Sequence, residues 1–123
     1  MQRCFTNILS KNVEKTAGFY ERFFGMNRHF DSDWFVVLTH ESLSRLELGV
    51  LKRDNEIVPK SARNPPTGLI ITFVVDDCDS IHKMTVEHGV NIIEPPTDMP
   101  YGQRRMLIQD PDGTVVDVSS LIS

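Results

Sequence analysis

A chain of 123 residues suits one compact domain or two very small repeats. Its hydrophobic content of 40% and charged content of 24% are those of an ordinary soluble globular protein. The net charge of −4, with no stripe of Lys and Arg, argues against a nucleic-acid or anionic-membrane binder. The first residues, Met1 to Phe5, lack the apolar centre of a signal peptide, and no apolar run approaches membrane-spanning length. Cys4 and Cys78 have no CxxC spacing, so both are expected as buried free thiols in a reducing cytoplasm.

Residues 4–10 read as a first strand. Asn12 then caps a helix over 13–24, whose Val13, Ala17, Tyr20 and Phe24 recur at helical spacing, and Gly25 stops it. This aromatic stripe reads as core packing against a sheet. Three strands are predicted next, over 26–30, 33–39 and 43–51, with Leu46 and Leu48 on one face of the last and Arg45, Glu47 and Gly49 on the other. Residues 52–67 are polar, carry three prolines and read as a linker.

The pattern then restarts. A strand over 68–76 has apolar residues on both faces and is expected to be buried. Asp77 caps a second helix over 78–88, with Ile81, Met84 and Thr85 toward a core and Gly89 ending it. Residues 90–93 read as a strand and 95–102 as a proline-bearing loop. A closing hairpin turns at Asp110-Pro111-Asp112-Gly113, where Asp110 can cap, Pro111 presets φ and Gly113 accepts a positive φ. In its last strand Val116 and Val118 share one face, and Val115, Asp117 and Ser119 the other. The order is βαβββ twice, an α+β arrangement with module one at 1–51, the linker at 52–67 and module two at 68–123. The triplets Leu46-Glu47-Leu48 and Val116-Asp117-Val118 read as matching carboxylate positions in the two modules.

Four segments carry a family resemblance: Phe5 to Gly25 with Phe19-Tyr20 inside, Phe73-Val74-Val75-Asp76-Asp77, Tyr101-Gly102-Gln103-Arg104, and Asp110-Pro111-Asp112-Gly113 with Asp117. Together they resemble the vicinal oxygen chelate superfamily of glyoxalase I, extradiol dioxygenases, and fosfomycin- and bleomycin-resistance proteins. The resemblance implies two βαβββ modules whose mixed sheet curls around a cavity, with helices on its outer face, in a cytoplasmic homodimer. A sheet covered on one face only also has edges to bury, which points to the same dimer.

The resemblance places the family's four metal-ligand positions on Phe5, Glu47, Ile70 and Asp117. Two carboxylates and two hydrophobes do not make a transition-metal site, which takes about three protein ligands and an open position. A slip of register would bring Asn7 or Thr72 to the cavity, neither a good ligand for such a metal. His29, His40, His82 and His88 are not placed to complete the set. No cofactor is expected; the alternative is a weakly held divalent metal on Glu47 and Asp117.

The expectation is therefore a metal-free pocket. Phe5, Ile70, Tyr101 and either Trp34 or Phe35 supply apolar walls; Asn7, Arg45, Glu47 and Asp117 supply polar groups. Two carboxylates beside an aromatic floor favour a small cationic or aromatic molecule, as the resemblance to bleomycin-resistance proteins also implies. The alternatives are a lyase, isomerase or dioxygenase with a degenerate metal site, or a structural or regulatory dimer without ligand. In the plainest alternative Glu47 and Asp117 are solvated on an open sheet face, or Glu47 pairs with Arg45, Arg104 or Arg105. Cys78, at a helix start, has a position that lowers a thiol pKa but no His to pair with, and GxSxG, P-loop and HExxH motifs are absent.

Overall fold

The computed structural model describes residues 1–122; Ser123, the last residue of the predicted second module, lies outside them. The chain divides into two units, Met1–Pro66 and Thr67–Ser123. Each has the predicted βαβββ order, so the α+β reading holds.

In the first unit, strand β1 (Thr6–Ser10) leads into helix α1 (Val13–Phe24), followed by β2 (Asn27–Asp31), β3 (Phe35–His40) and β4 (Leu43–Lys52). The sheet order is β1-β4-β3-β2, with β1 parallel to β4 and the other pairs antiparallel. Asn12 caps α1 by accepting the Lys15 N–H at 3.1 Å. Gly25 ends it at φ +64°, a left-handed conformation that its missing β-carbon makes inexpensive. Val13, Thr16, Ala17, Tyr20 and Phe23 of α1 are buried, as are Ile8, Val36, Leu38, Leu48 and Val50 of the sheet. Fully burying one such large aliphatic side chain contributes about 1.5–3 kcal/mol, so this apolar layer anchors the unit. Arg28 clamps the layer's edge. Its guanidinium pairs with Glu14 and Glu21 of α1 at 2.8 Å each and with Asp31 at 3.1 Å.

The second unit repeats the plan with β5 (Ile70–Val74), α2 (Cys78–Glu87), β6 (Ile92–Asp98), β7 (Gln103–Gln109) and β8 (Val115–Leu121), in sheet order β5-β8-β7-β6. Asp77 caps α2 through the Asp79 N–H. The closing turn forms as its residues predict: Asp110 Oδ1 accepts the N–H groups of Asp112 and Thr114, and Gly113 sits at φ +89°. Val116 and Val118 are fully buried beneath α2.

Several expectations are corrected. Strand β6 runs through Pro95 and Pro96 instead of ending before them, and only a short turn, with Gly102 N–H bonded to the Met99 carbonyl, separates it from β7. Because β6 is an edge strand interrupted by bulges, the missing proline N–H groups cost the ladder little. Strand β5 is not buried on both faces: Ile70 is 58% and Val74 63% exposed. The stretch 52–67 is not purely a linker. It contains a short 3₁₀ turn, Lys60–Ala62, and it buries Val58, whose carbonyl accepts from Arg63. Cys4 is exposed, because it precedes β1 instead of lying in it, whereas Cys78 is buried as expected; both are free thiols. No helix among the described residues is long and apolar enough to cross a membrane.

The matching of the two carboxylates is also corrected. Asn12 and Asp77 are equivalent caps, which makes Asn7 equivalent to Thr72, five residues before each. Asn7 pairs with Gly49, and Thr72 pairs with Asp117. The register mate of Asp117 is therefore Gly49, and Glu47 lies two residues earlier, a displacement of about 6.5 Å along the strand.

Candidate functional site

In the first unit, α1 covers one face of the sheet and strand alternation turns Asn7, Phe35, Val37, Glu47 and Gly49 to the other. Phe35 is the centre of that second face. Its ring lies 5.8 Å from Trp34, 5.9 Å from Phe30 and 6.5 Å from Phe5, centroid to centroid. These are separations at which tilted rings attract. A recess of about 350 Å³ is lined by Arg3, His29, Phe30, Trp34, Phe35 and Val37. A second recess, about 920 Å³, shares Arg3 and His29 and adds Asn27, His40, Arg45 and Glu47 among others.

Asn7 lies across Gly49. A β-carbon at residue 49 would collide with the Asn7 amide oxygen and stand 3.2 Å from the Phe35 ring. A glycine at this buried strand position thus lets an amide rest beside an aromatic floor. Its oxygen rests against Gly49, and the amide makes no hydrogen bond with another described side chain or backbone group.

Glu47 is ion-paired, and its partner is neither Arg45 nor Arg104 nor Arg105. Arg3 Nε donates to both carboxylate oxygens at 2.7 and 2.9 Å, and Nη2 to one at 2.6 Å. The Arg3 guanidinium also lies 4.6 Å from the Phe5 ring centroid, within cation–π range. The Arg3 hydrogen bonds hold the Glu47 carboxyl below the usual range, with a smaller contribution from His29. Arg45 shares the larger recess and is exposed.

The second unit presents Asp117 differently. Thr72 Oγ donates to it at 3.2 Å and Ser119 Oγ at 2.6 Å, so two hydroxyls on the same sheet face satisfy one carboxylate. Arg105 lies close enough to feel Asp117 and Tyr101 but gives its ion pair to Glu94 at 2.8 Å. Arg104, turned to the opposite face, pairs with Asp79 of α2 and with Asp98. Ile70 and Tyr101 are both 58% exposed. Phe5, Asn7, Trp34, Arg45 and Glu47 thus share the first unit, and Ile70, Tyr101 and Asp117 belong to the second.

This double βαβββ plan accompanies the resemblance already drawn, and a comparison with known families decides it. The family model for the Glyoxalase/Bleomycin resistance protein/Dioxygenase superfamily matches residues 5–118. The chain belongs to this superfamily. A superfamily member from Sphaerobacter thermophilus DSM 20745 is 24% identical over 98% of this chain and 97% of its own, with a TM-score of 0.76. A family enzyme from Burkholderia phytofirmans PsJN is 17% identical over 96% of this chain and 97% of its own, with a TM-score of 0.82. TioX from Micromonospora sp. ML1 is 16% identical over 99% of this chain and 100% of its own, with a TM-score of 0.74. At these identities the likeness is one of fold. No curated protein matches the chain.

The superfamily's metal chemistry calls for donors, and the side chains here do not supply them. Phe5 and Ile70 have no lone pair to give. Glu47 is taken by Arg3, and Asp117 by two hydroxyls. Among the described residues, no group of three or more His, Cys, Asp and Glu is placed to hold a metal ion. The donor set does not fit a divalent centre with three protein ligands.

Sequence reasoning missed two residues of the first unit's face. Arg3 was not legible, because it precedes both the strand predicted over 4–10 and the observed β1, so alternation does not place it. Nor was His29: it falls at an irregularity between Arg28 and Phe30 in β2, and a bulge re-aims a side chain without leaving a mark in the sequence. Cys78 is no nucleophile. Burial raises its thiol pKa, and Sγ donates to the Val118 carbonyl at 3.3 Å.

Proposed function

We propose that this superfamily member binds a small aromatic molecule carrying a cationic group, without a metal, on the open face of its first unit. One observation carries the reading: an aromatic surface centred on Phe35 borders a carboxylate, Glu47, that already holds a cation against the Phe5 ring. The ligand's ring lies on Phe30, Trp34 and Phe35, its cation replaces the Arg3 guanidinium at Glu47, and the exposed Asn7 amide beside Phe35 fixes its orientation. Such a mixture of apolar floor and few polar groups is what small-molecule sites use. The donor set described above supports binding in place of metal chemistry.

We further propose that the working unit is a homodimer. Ile70, Val74 and Leu121 are 58%, 63% and 75% exposed along one face of the second sheet, an apolar surface that a second copy would cover. Thermal unfolding of chelator-treated protein with added benzamidine tests the binding reading. The midpoint is expected to rise with concentration as mass action requires, and to rise less in Phe35→Leu. No rise in the wild type contradicts it. Sedimentation equilibrium tests the dimer, and a monomer at all concentrations contradicts that part.

A further inference from the structure

The cation held by Glu47 belongs to the chain itself, and its geometry carries information. Arg3 lies outside the sheet, in an exposed lead of four residues before Phe5. It meets the carboxylate side-on, with Nε and Nη2 presented to the two oxygens at 2.6–2.9 Å. Only a planar cation with neighbouring N–H groups makes that fork; an ammonium approaches as a point charge. The guanidinium carbon also lies over the Phe5 ring, 4.6 Å from its centroid. The two partners are not equally fixed. The Glu47 side chain, on the ten-residue strand β4, is 17% exposed, and the Arg3 side chain is 53% exposed. The carboxylate and the ring are the site, and the arginine is the replaceable part. An exposed ion pair of this kind is weak, so a ligand offering the same fork displaces it at small cost.

We propose that Arg3 is a tethered stand-in for the ligand, so that the site selects an aromatic molecule bearing a planar amidinium or guanidinium group and Arg3 holds Glu47 until that group arrives. This rests on the reading that the first unit's open face binds an aromatic cation, and it adds the class of cation and an internal competitor.

Calorimetric titration of the full chain with benzamidine and benzylamine tests it. These probes share a ring and a positive charge and differ in the planarity of the cation. Arg3→Ala is expected to bind benzamidine roughly three- to tenfold more tightly than wild type, the strength of one exposed ion pair and one cation–π contact. Benzylamine should gain less. Arg3→Lys, which keeps the charge and loses the fork, should behave as Arg3→Ala. The double variant Arg3→Ala with Glu47→Gln should bind benzamidine no better than wild type. Unchanged benzamidine affinity in both Arg3 variants overturns the competitor role, and an equal gain for both probes overturns the planar-cation selection; in either case the aromatic-cation reading stands. If neither probe binds wild type or either variant, that reading falls and this inference falls with it.

Discussion

Asn7 lies over Gly49, its amide occupying the volume that a β-carbon at residue 49 would need. The pair is a register relation, since β1 and β4 run parallel with these two residues opposite each other. It places a free amide beside Phe35 on the face proposed to bind. Substituting Gly49→Ala should push this amide aside without unfolding the sheet, because the colliding atoms are the end of an exposed side chain. Stability in urea is expected to change by under about 1 kcal/mol, whereas benzamidine affinity should fall roughly two- to tenfold, the worth of one hydrogen bond. A large stability loss with unchanged affinity contradicts this role.

Phe35 separates packing from recognition. Its ring contacts Phe5, Phe30 and Trp34, and it pairs with Leu51 across the sheet. Phe35→Leu keeps most of the apolar volume and should cost under about 1.5 kcal/mol, but it removes the face on which an aromatic ligand rests. Unfolding midpoints and ligand titration on the same variant check the two halves. Equal ligand affinity in Phe35→Leu would move the binding surface elsewhere.

Arg28 is expected to stabilise the first unit through its three carboxylate partners. Its side chain is 17% exposed and joins α1 to β2, while the Glu14 and Asp31 side chains are 80% and 59% exposed. Arg28→Met should therefore cost about 1 kcal/mol at low ionic strength, and less at high salt as the exposed partners are screened. Urea unfolding at two salt concentrations measures both. No salt dependence would mean that the arginine acts through its hydrocarbon stem.

Acid should weaken the fold with a definite sign. Hydrogen bonds from Arg28 hold the Glu14 carboxyl below its ordinary value of 4.5, and hydrogen bonds from Arg3 do the same for Glu47. A carboxylate whose pKa is lower in the folded chain adds stability above its unfolded value and loses it as pH falls through the folded one. Stability from these two groups should be constant at neutral pH and decline below 4.5. The decline should be shallower in Arg3→Ala and Arg28→Met. An unchanged acid profile in both variants contradicts the assignment.

The two thiols should react unequally. Cys4 is exposed, and Cys78 is buried with a raised pKa and bonded to the Val118 carbonyl. A thiol reagent at neutral pH is expected to modify Cys4 quickly and Cys78 only on unfolding. Mass spectrometry of timed samples reads this directly, and fast double modification contradicts the burial of Cys78.

Much of the fold was legible because local signals agreed. The span of α1 follows from Asn12, Gly25 and a stripe at helical spacing, and all three are in the structure. The closing hairpin follows from Asp110 and Gly113 in the same way. What failed were signals that depend on a strand's neighbours. Pro95 and Pro96 read as a loop because a sequence does not say which strand is at an edge. The apolar residues of β5 read as buried because periodicity does not say what covers a face. At the site, Phe5, Glu47 and Trp34 could be named from alternation and resemblance. The partner of Glu47 was a matter of pairing over 44 residues of chain, which only the folded register reveals.

The central claim is metal-free binding of an aromatic cation on the open face of the first unit. Two-dimensional ¹H–¹⁵N NMR of chelator-treated protein during benzamidine addition tests it most directly. The account predicts saturable shifts of the Asn7 side-chain amide, the Trp34 indole N–H and the Arg3 Nε–H, unaltered by excess chelator and absent in Glu47→Gln for the Arg3 signal. Binding that appears only after a divalent metal is restored, or shifts that leave these three groups unmoved, would contradict it.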